Sequence, residues 1–231
     1  MDYESLLELI KKRRSIHKFK PDPIPDEYVD KIIEAARWAP SGANSQPWEF
    51  IVVKKQELKD SIVKLFEENH ALAYRMEHTR EPGYIFPSYT RPPQQSPGFA
   101  TAPVFIIICG DPRTKDAFPI GAFLNRGQDI FTSSLASACL YMHLAATALG
   151  LGSQWVTPTS YPFVQSLTKA LLGIPKELEI YDMIATGYPD LEPKPRPVRS
   201  KEEIVHHDYY DKSKFRTDTQ IKDFILALRK E

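Results

Sequence analysis

A short basic segment near the start of the chain carries residue types that bind phosphate. It reads Arg13-Arg14-Ser15-Ile16-His17 and lies where a helical pattern ends and an extended stretch begins. Arginine suits phosphate because its planar guanidinium donates two parallel charge-assisted hydrogen bonds. A solvated helix end, whose cations complement the helix dipole, explains the same residues. Taken alone, the segment favours this second interpretation.

A second candidate is the loop Pro40-Ser41-Gly42-Ala43-Asn44-Ser45-Gln46-Pro47, which joins a helical pattern to a strand pattern. Small residues offer backbone N–H groups and let a planar ligand approach closely. The alternative is a plain helix-to-strand connection. The serine and amide content favours a binding loop.

Two further candidates lie later in the chain. Thr157, Thr159 and Ser160 follow a strand pattern and carry hydroxyls that suit a heterocycle, although capping of a helix ahead of Pro162 explains them equally well. Arginines at 196 and 199 add positive charge for a phosphate or are simply exposed. The local sequence leaves these alternatives open.

Composition narrows the class of protein. The 231 residues include 30 Lys and Arg and 30 Asp and Glu, so the formal net charge is zero, which argues against a general binder of nucleic acid or anionic membranes. The longest apolar run, Val104 to Cys109, is too short to span a bilayer. With only two cysteines and an acidic start that lacks a signal-peptide pattern, we expect a cytoplasmic protein without a disulfide scaffold.

Familiar catalytic motifs are absent from the sequence. It contains no dinucleotide-binding or Walker glycine loop, no Gly-x-Ser-x-Gly and no His-Glu-x-x-His. The six histidines lack the spacing of metal ligands, and we expect His143 to be a satisfied core or interface residue. We therefore predict no metal, and no acid–base residue stands out.

The elements that must position these residues mix helices and strands without strict alternation, which predicts an α+β fold in a single domain, 1–231. Helical periodicity predicts a helix over 2–14, capped by Asp2, and a second helix capped by Asp26. It also predicts helices from about Glu57, over 120–149, around 164–171 and after Asp218. Aromatic and β-branched runs predict strands at 48–53, 104–109, 153–157 and 180–186.

Two proline-rich stretches stand apart from these elements. Residues 79–103 hold six prolines among aromatic side chains, which is typical of a functional lid, and we place the lid at 70–100. Residues 189–200 hold four more prolines. We expect a C-terminal arm from about 189 to 231, laid over a partner such as another subunit.

Taken in order, these segments resemble the nitroreductase family of FMN-dependent enzymes. The resemblance rests on Arg13-Arg14-Ser15 followed by Phe19, and on the 39–47 loop that leads into Trp48-Glu49-Phe50. It extends through Leu149-Gly150-Leu151-Gly152 to Gly187-Tyr188-Pro189 and so covers almost the whole chain. The Pro-Ser-Gly-Ala form of the loop is especially similar to the iodotyrosine deiodinase branch.

The resemblance implies a nitroreductase-like fold, with a central, mostly antiparallel sheet flanked by helices, in an interlocked homodimer with two FMN sites at its interface. By motif match, one subunit holds the phosphate and ribityl chain of FMN through Arg13, Arg14 and Ser15. The other subunit approaches the flavin with four residues of the loop, Pro40, Ser41, Gly42 and Asn44.

Three more positions follow from the same resemblance. Ser134 falls where the family reaches FMN across the interface, and Thr157 matches a position that hydrogen-bonds the flavin near N5. Arg199 is the best match to a late cationic contact with the phosphate, and Arg196 competes with it.

One position departs from the family pattern. The family usually has Arg or Lys two residues after the serine, near the flavin edge that gains negative charge on reduction, and this chain has His17. A neutral histidine stabilises that charge less than a cation does, and its own charge changes near neutral pH.

The implied activity is that of an NAD(P)H-dependent oxidoreductase with a ping-pong mechanism. NADH or NADPH gives hydride to the flavin and leaves, and a small aromatic, nitro or quinone-like acceptor then enters the same slot. Tyr84 and Tyr89 of the lid would stack on such an acceptor, and Arg80 or Arg91 would pair with an anionic group on it.

Two alternatives remain. In a reductive dehalogenase acting on a halogenated aromatic, Tyr74 would match the lid tyrosine of the deiodinases. The glutamate of their substrate clamp falls near Asn69 or His70, and no lysine occurs between Lys64 and Lys115, which argues against this activity. A non-catalytic flavin or small-ligand binding protein would bind FMN without being reduced by NAD(P)H.

Overall fold

The computed structural model describes residues 2–90, 92, 96–193 and 197–228. Contacts within the chain define two compact units. The first comprises Met1–Phe66 and Ser96–Pro193, and the second comprises Glu67–Gln95 and Lys194–Glu231. The second unit thus contains most of the predicted lid and most of the predicted C-terminal arm.

The first unit is built on a four-stranded antiparallel sheet with the order β1-β2-β4-β3. Its strands are β1 (Trp48–Val53), β2 (Val104–Gly110), β3 (Gly152–Val156) and β4 (Glu179–Gly187). Every residue of β2 is buried, because β1 and β4 pair with its two edges while apolar side chains pack on both faces. The predicted α+β class and antiparallel sheet are confirmed.

Five helices surround this sheet or begin in the first unit: α1 (Tyr3–Lys12), α2 (Asp26–Arg37), α3 (Gln56–Glu77), α4 (Ile120–Ala148) and α5 (Pro162–Leu172). One face of the sheet packs against α3 and α5 in a core that includes Ile62, Phe105 and Val164. The other face packs against α2 and α4 in a second core, which includes Ile32 and Leu135. Alternate residues of each strand feed the two cores.

Among the described residues, α4 is the one helix long and apolar enough to cross a membrane by length and composition alone. Half of its most apolar window is buried inside the protein, where it packs on α2 and on the sheet. The central helix of a globular core has the same length and composition, so this packing accounts for its apolar character.

The second unit contains the last turns of α3, short 3₁₀ turns at Pro82–Tyr84 and Pro87–Tyr89, and two helices, α6 (Lys201–Ile204) and α7 (Asp218–Leu228). Here α7 lies against the first of the two turns. A Cβ atom at Gly83 would lie 3.3 Å from Leu226 Cδ2, and the Nζ of Lys222 lies 5.7 Å from the Tyr84 ring centre.

The structure confirms one predicted helix cap and contradicts another. Asp2 caps α1 as predicted, because its Oδ1 accepts from the Ser5 N–H at 2.8 Å. Asp26 was expected to cap α2, but it is the first helical residue, Pro25 occupies the cap position, and no side chain caps this end. The Asp26 carboxylate instead pairs with Lys54 Nζ at 2.7 Å.

Candidate functional site

The loop before β1 has an unusual backbone. Ala43, Asn44 and Gln46 adopt positive φ angles of 50°, 50° and 43°, a region that residues other than glycine rarely occupy. Such strain persists where the surrounding structure fixes it, and it is concentrated at binding sites. The observed conformation supports a binding loop over a plain connection.

Hydrogen bonds hold this loop in place. Ser41 Oγ accepts from the Gln46 N–H at 3.0 Å, and the Asn44 N–H donates to the Ser41 carbonyl at 3.0 Å. The Gly42 N–H donates to Ser134 Oγ at 3.1 Å, and that hydroxyl donates to the Ile130 carbonyl at 2.7 Å. Two predicted site residues, Gly42 and Ser134, are therefore in direct contact within one protomer.

Close packing explains the glycine in this loop. A Cβ atom at position 42 would lie 2.1 Å from Ile130 Cγ2 and 3.3 Å from Phe118 Cε1, so only glycine fits without displacing its neighbours. Ser45 Oγ in the same loop is buried and has no hydrogen-bond partner among the described residues. A buried hydroxyl without a partner is costly, and a polar ligand group at the loop would satisfy it.

The basic segment lies beside β3. Helix α1 ends at Lys12, and Ser15 forms a parallel bridge with Ser153, where the Ile16 N–H donates to the Ser153 carbonyl at 3.0 Å. A Cβ atom at Gly152 would lie 2.6 Å from Ile16 Cγ1, so the glycine permits this approach. The segment is thus extended and fixed to the sheet, and it does not continue the helix.

The two arginines are half-buried at the point where α1 ends. Arg14 Nη1 donates to the carbonyls of Lys11 and Arg13, the latter at 2.8 Å. The Arg13 guanidinium lies near His143 and, after burial, contributes to lowering the pKa of that imidazole to about 4. Because His143 is then neutral near pH 7, the positive charge at this end of β3 belongs to the arginines.

His17 and Thr157 are both exposed. The carbonyl oxygen of His17 lies so close to Gly98 that a Cβ there would be 1.8 Å away, which fixes the backbone at His17. Thr157 begins a 3₁₀ turn, Thr157–Ser160, directly after β3.

The other hydroxyls of this turn bond to nearby backbone. Thr159 Oγ1 donates to the Val156 carbonyl at 2.7 Å, and Ser160 Oγ donates to the Thr157 carbonyl at 2.9 Å. Neither caps α5, whose cap residue is Tyr161 without a side-chain bond. The capping alternative is therefore wrong, and Thr157 is the exposed hydroxyl of the turn.

The remaining predicted residues lie elsewhere. Arg199 belongs to the second unit, where its Nη2 donates to the Glu203 carbonyl at 3.2 Å. Arg91 and Arg196 lie outside the described residues. The basic segment, the 40–47 loop, Ser134 and the Thr157 turn therefore all lie in the first unit, where the loop contacts Ser134 and the basic segment lies beside β3. The late phosphate contact stays a prediction.

The lid tyrosines all lie in the second unit. The ring centres of Tyr74 and His78 are 4.2 Å apart, and those of Tyr89 and His70 are 4.7 Å apart. Tyr84 lies beneath two cations, with Arg80 at 6.0 Å and Lys222 at 5.7 Å from its ring centre. The unit thus places aromatic rings beside positive charge, and a role as a lid stays a prediction.

Sequence reasoning missed a buried polar group on the α4 side of the sheet. Asp182 of β4 accepts from Trp155 Nε1 at 2.5 Å, and burial raises the pKa of its carboxyl to about 7. His143, expected to be satisfied, pairs its Nδ1 with Ser153 Oγ at 2.7 Å, but its Nε2 is buried and has no partner among the described residues. An aspartate inside an apolar strand is the signal that identifies this group.

Comparison with known proteins shows the family to which this fold belongs. The nitroreductase family model matches residues 10–188, and the chain belongs to this family. Within the family, it is 28% identical to a deiodinase, the iodotyrosine deiodinase of Thermotoga neapolitana, over 89% of this chain and 98% of that one. It is also 28% identical to an Archaeoglobus fulgidus protein assigned provisionally as an NADH dehydrogenase/NAD(P)H nitroreductase, over 80% of this chain and 86% of that protein.

Solved structures give the same result. The crystal structure of an oxidized iodotyrosine deiodinase bound to FMN and 3-iodo-L-tyrosine is 26% identical, with a TM-score of 0.70 over 89% of this chain and 100% of that one. The NADPH:FMN oxidoreductase of Vibrio harveyi, complexed with NAD⁺, shares the fold at 20% identity, with a TM-score of 0.65 over 97% of this chain and 84% of that one. The expected family, with its similarity to the deiodinase branch, is confirmed.

Proposed function

We propose that this protein is an FMN-dependent oxidoreductase that uses NAD(P)H to reduce a small aromatic, nitro or quinone-like acceptor by a ping-pong mechanism. The observation that carries the proposal is the strained loop, whose Gly42 is bonded to Ser134, in the same unit as an arginine pair fixed beside β3. These segments supply the donor types that FMN requires.

The residues present fit FMN. A phosphate needs about two cations in a partly buried site, and Arg13 and Arg14 are half-buried beside the extended Ser15. A flat ring needs backbone without bulky side chains, and the loop presents Gly42 and Ala43 there. The unpartnered Ser45 hydroxyl is a polar group that a bound ligand would satisfy.

When bound, FMN supplies the transfer of hydride from the donor to the acceptor. The chain's own residues bind and orient it. In one subunit, Arg13, Arg14 and Ser15 would hold the phosphate and ribityl chain. In the other, the loop residues Pro40, Ser41, Gly42 and Asn44 would approach the ring, and Ser134 would contribute across the interface. Thr157 would offer its exposed hydroxyl to the flavin, and Arg199 stays a predicted cation for the phosphate.

His17 sets the electrostatics of the proposed site. It occupies the position two residues after Ser15, where it would lie near the flavin edge that gains negative charge on reduction. An imidazole would donate a hydrogen bond there, whereas the arginine or lysine usual in the family supplies a permanent cation. Reduction is therefore favoured less strongly than it would be with an arginine.

The functional form is an interlocked homodimer in this proposal. Helix α4 exposes large apolar side chains at Ile120, Leu124 and Leu140 although it forms the centre of the fold, and α1 exposes Tyr3 and Ile10. Apolar area of this kind is typically covered by a partner. A second copy of the chain would cover it and complete each FMN site.

The first experiment is anaerobic spectroscopy of the purified protein. Bound FMN gives a yellow protein, and addition of NADH or NADPH is expected to bleach it, after which menadione or nitrofurazone is expected to restore the colour. Yellow protein that neither nucleotide bleaches would favour the binding-protein alternative. Colourless protein that takes up no added FMN would overturn the proposal.

A reductive dehalogenase is the second candidate, favoured by the similarity to the deiodinase bound to FMN and 3-iodo-L-tyrosine. Tyr74 supplies a ring in the lid, with its centre 4.2 Å from that of the His78 ring, but the segment between Lys64 and Lys115 contains no lysine for a substrate carboxylate. Chemically reduced protein mixed with 3-iodotyrosine tests this candidate. Release of iodide would support it, and its absence alongside reduction of menadione would leave the first candidate.

A further inference from the structure

A carboxyl group is buried beneath the turn that carries Thr157. Asp182 is only 5% exposed, and its Oδ2 accepts from Trp155 Nε1 at 2.5 Å. Its Oδ1 is buried without a hydrogen-bond partner among the described residues. Burying a carboxylate with one oxygen unpaired is costly, so this position is unfavourable for a purely structural aspartate.

The strand register places the group precisely. Val156, the last residue of β3, pairs with Met183, so Asp182 is the next residue of β4 at the point where β3 gives way to the turn. Trp155 holds the carboxyl from the strand side. Ser160, at the far end of the turn, lies close enough to lower the pKa of the carboxyl in part.

The carboxyl changes charge in the neutral range, because burial raises its pKa to about 7 against the partial effect of Trp155 and Ser160. The titratable groups around Asp182 do not change charge in this range. On β4, burial raises the pKa of Tyr181 to about 12. On α4, burial raises the pKa of the Cys139 thiol well above its ordinary value.

A third neighbour contacts the carboxyl through the indole. The His143 ring stacks on Trp155 with ring centres 5.7 Å apart, and burial lowers the pKa of this imidazole to about 4. The three neighbours are neutral near pH 7. Asp182 is therefore the member of this group whose charge responds to neutral pH.

We propose that Asp182 is a positioning residue, which leaves the Thr157 turn in its working geometry while the carboxyl is protonated and alters that geometry when the proton is lost. The inference rests on the proposed function, in which Thr157 faces the flavin. Once ionised, Oδ1 needs a donor, and the Ser160 hydroxyl is close enough to lower the pKa of the carboxyl. That hydroxyl now donates to the Thr157 carbonyl at 2.9 Å, so its transfer to Asp182 would release the turn.

The first test does not depend on enzyme activity. The tryptophan fluorescence of the holoenzyme is titrated from about pH 5 to about pH 9, since the Trp155 indole donates to the titrating group. We expect a transition centred near pH 7 that is absent from Asp182→Asn. Asp60→Asn, a matched change at an exposed carboxyl of α3 that pairs with Gln56, is expected to retain it.

The second test is the pH dependence of flavin reduction by NAD(P)H. In the parent enzyme the rate is expected to fall as pH rises through about 7, by about tenfold, within the range that small displacements of a positioned group cost. Asp182→Asn keeps the acceptor for Trp155 and mimics the protonated acid, so its rate is expected to stay high. Asp60→Asn is expected to follow the parent.

A second variant keeps the proposal testable if Asp182→Asn does not fold. Trp155→Phe keeps a ring against His143 but removes the N–H that lowers the pKa of Asp182, so the midpoint of the rate profile is expected to move to higher pH. A merely structural role for Asp182 would not produce this shift.

The outcomes separate the two proposals. If the parent and Asp182→Asn bind and reduce FMN with superimposable pH profiles, the oxidoreductase function stands and the positioning role is wrong. If the parent takes up no FMN, the proposed function fails, and a fluorescence profile without a transition near pH 7 overturns the positioning role as well.

Discussion

The N–H of Gly42 donates to Ser134 Oγ at 3.1 Å, which ties the strained loop to the central helix α4. The contact is intimate because Ile130, one turn before Ser134, fills the space where a side chain at position 42 would lie. The loop conformation and the packing of α4 are therefore coupled.

This coupling predicts the effect of Gly42→Ala. The new methyl group would overlap Ile130 Cγ2, and we expect a loss of about 1–3 kcal/mol of stability together with weaker FMN binding. Thermal unfolding and flavin content measure the two effects. Gly121→Ala, in α4, meets no atom within 4 Å and should lower neither stability nor FMN binding. Ile130→Ala should partly rescue Gly42→Ala. An unaffected Gly42→Ala protein would contradict the coupling.

Removing a cation from the basic segment should weaken FMN binding. We expect Arg13→Gln to raise the Kd for FMN by about tenfold or more, since a hydrogen bond to a charged group contributes about 1.5–3 kcal/mol. Fluorescence titration of the FMN-free protein measures it. The control is Arg37→Gln, which breaks only an exposed pair with Glu34. Equal affinities for the two variants would remove Arg13 from the phosphate site.

Charge at position 17 should set the flavin potential. His17→Arg is expected to raise the midpoint potential because a permanent cation stabilises the negative charge that accompanies reduction. Spectrophotometric titration against redox dyes measures the potential. Lys18→Arg, an adjacent change that conserves charge in an exposed ion pair with Asp190, serves as control. An unchanged potential in His17→Arg would place this residue away from the flavin edge.

Changes in the lid should alter the affinity for the acceptor without altering the affinity for FMN. We expect Tyr84→Ala and Tyr89→Ala to raise the KM for aromatic acceptors several-fold, since each aromatic contact contributes about 0.5–1.5 kcal/mol, with no change in the Kd for FMN. Tyr209→Ala, at a side chain that is 87% exposed in the same unit, is the control. Loss of FMN from either lid variant would mean that the segment is structural.

Burial of Asp182 also predicts a pH-dependent stability. The pKa of its carboxyl is about 7 in the folded protein and about 4 in the unfolded chain, so the folded state binds the extra proton between these values. The stabilisation that this extra proton gives to the folded state is fully present below about pH 4 and is lost as pH rises through about 7. The loss is up to about 4 kcal/mol, at 1.36 kcal/mol per pKa unit.

Asp182→Asn removes this loss, so its melting temperature should exceed that of the parent by a margin that grows from about pH 5 to about pH 8. The low pKa of His143 makes stability change with pH in the opposite direction at acid pH. This effect is common to both proteins and cancels in the difference between them. A margin that does not change with pH would show that the carboxyl does not titrate in this range.

Much of the fold follows from local pattern. The β-branched run at 48–53 gave a strand with those bounds, and the long apolar pattern at 120–149 gave a helix that ends one residue earlier. These segments are predictable because a strand or helix period and a flanking Gly or Pro specify them within a few residues of sequence.

The remainder depends on contacts between distant residues. The pairing of Trp155 with Asp182 needs the register of β3 on β4, and the left-handed Ala43 depends on how the loop is packed against α4. No periodicity encodes either feature. The candidate site follows from the order of the motifs along the chain, because each motif alone also has a purely structural explanation.

The bridge between Ser15 and Ser153 also affects the order in which the protein folds, because it joins residues that are far apart in the sequence. During synthesis the N-terminal arginines leave the ribosome early, but the strand they lie beside is made only after most of the chain. Such distant pairing is slow to form because the intervening loop must first be closed. In the proposed function, the phosphate site would therefore assemble only after β3 has been made, so FMN would bind late in folding.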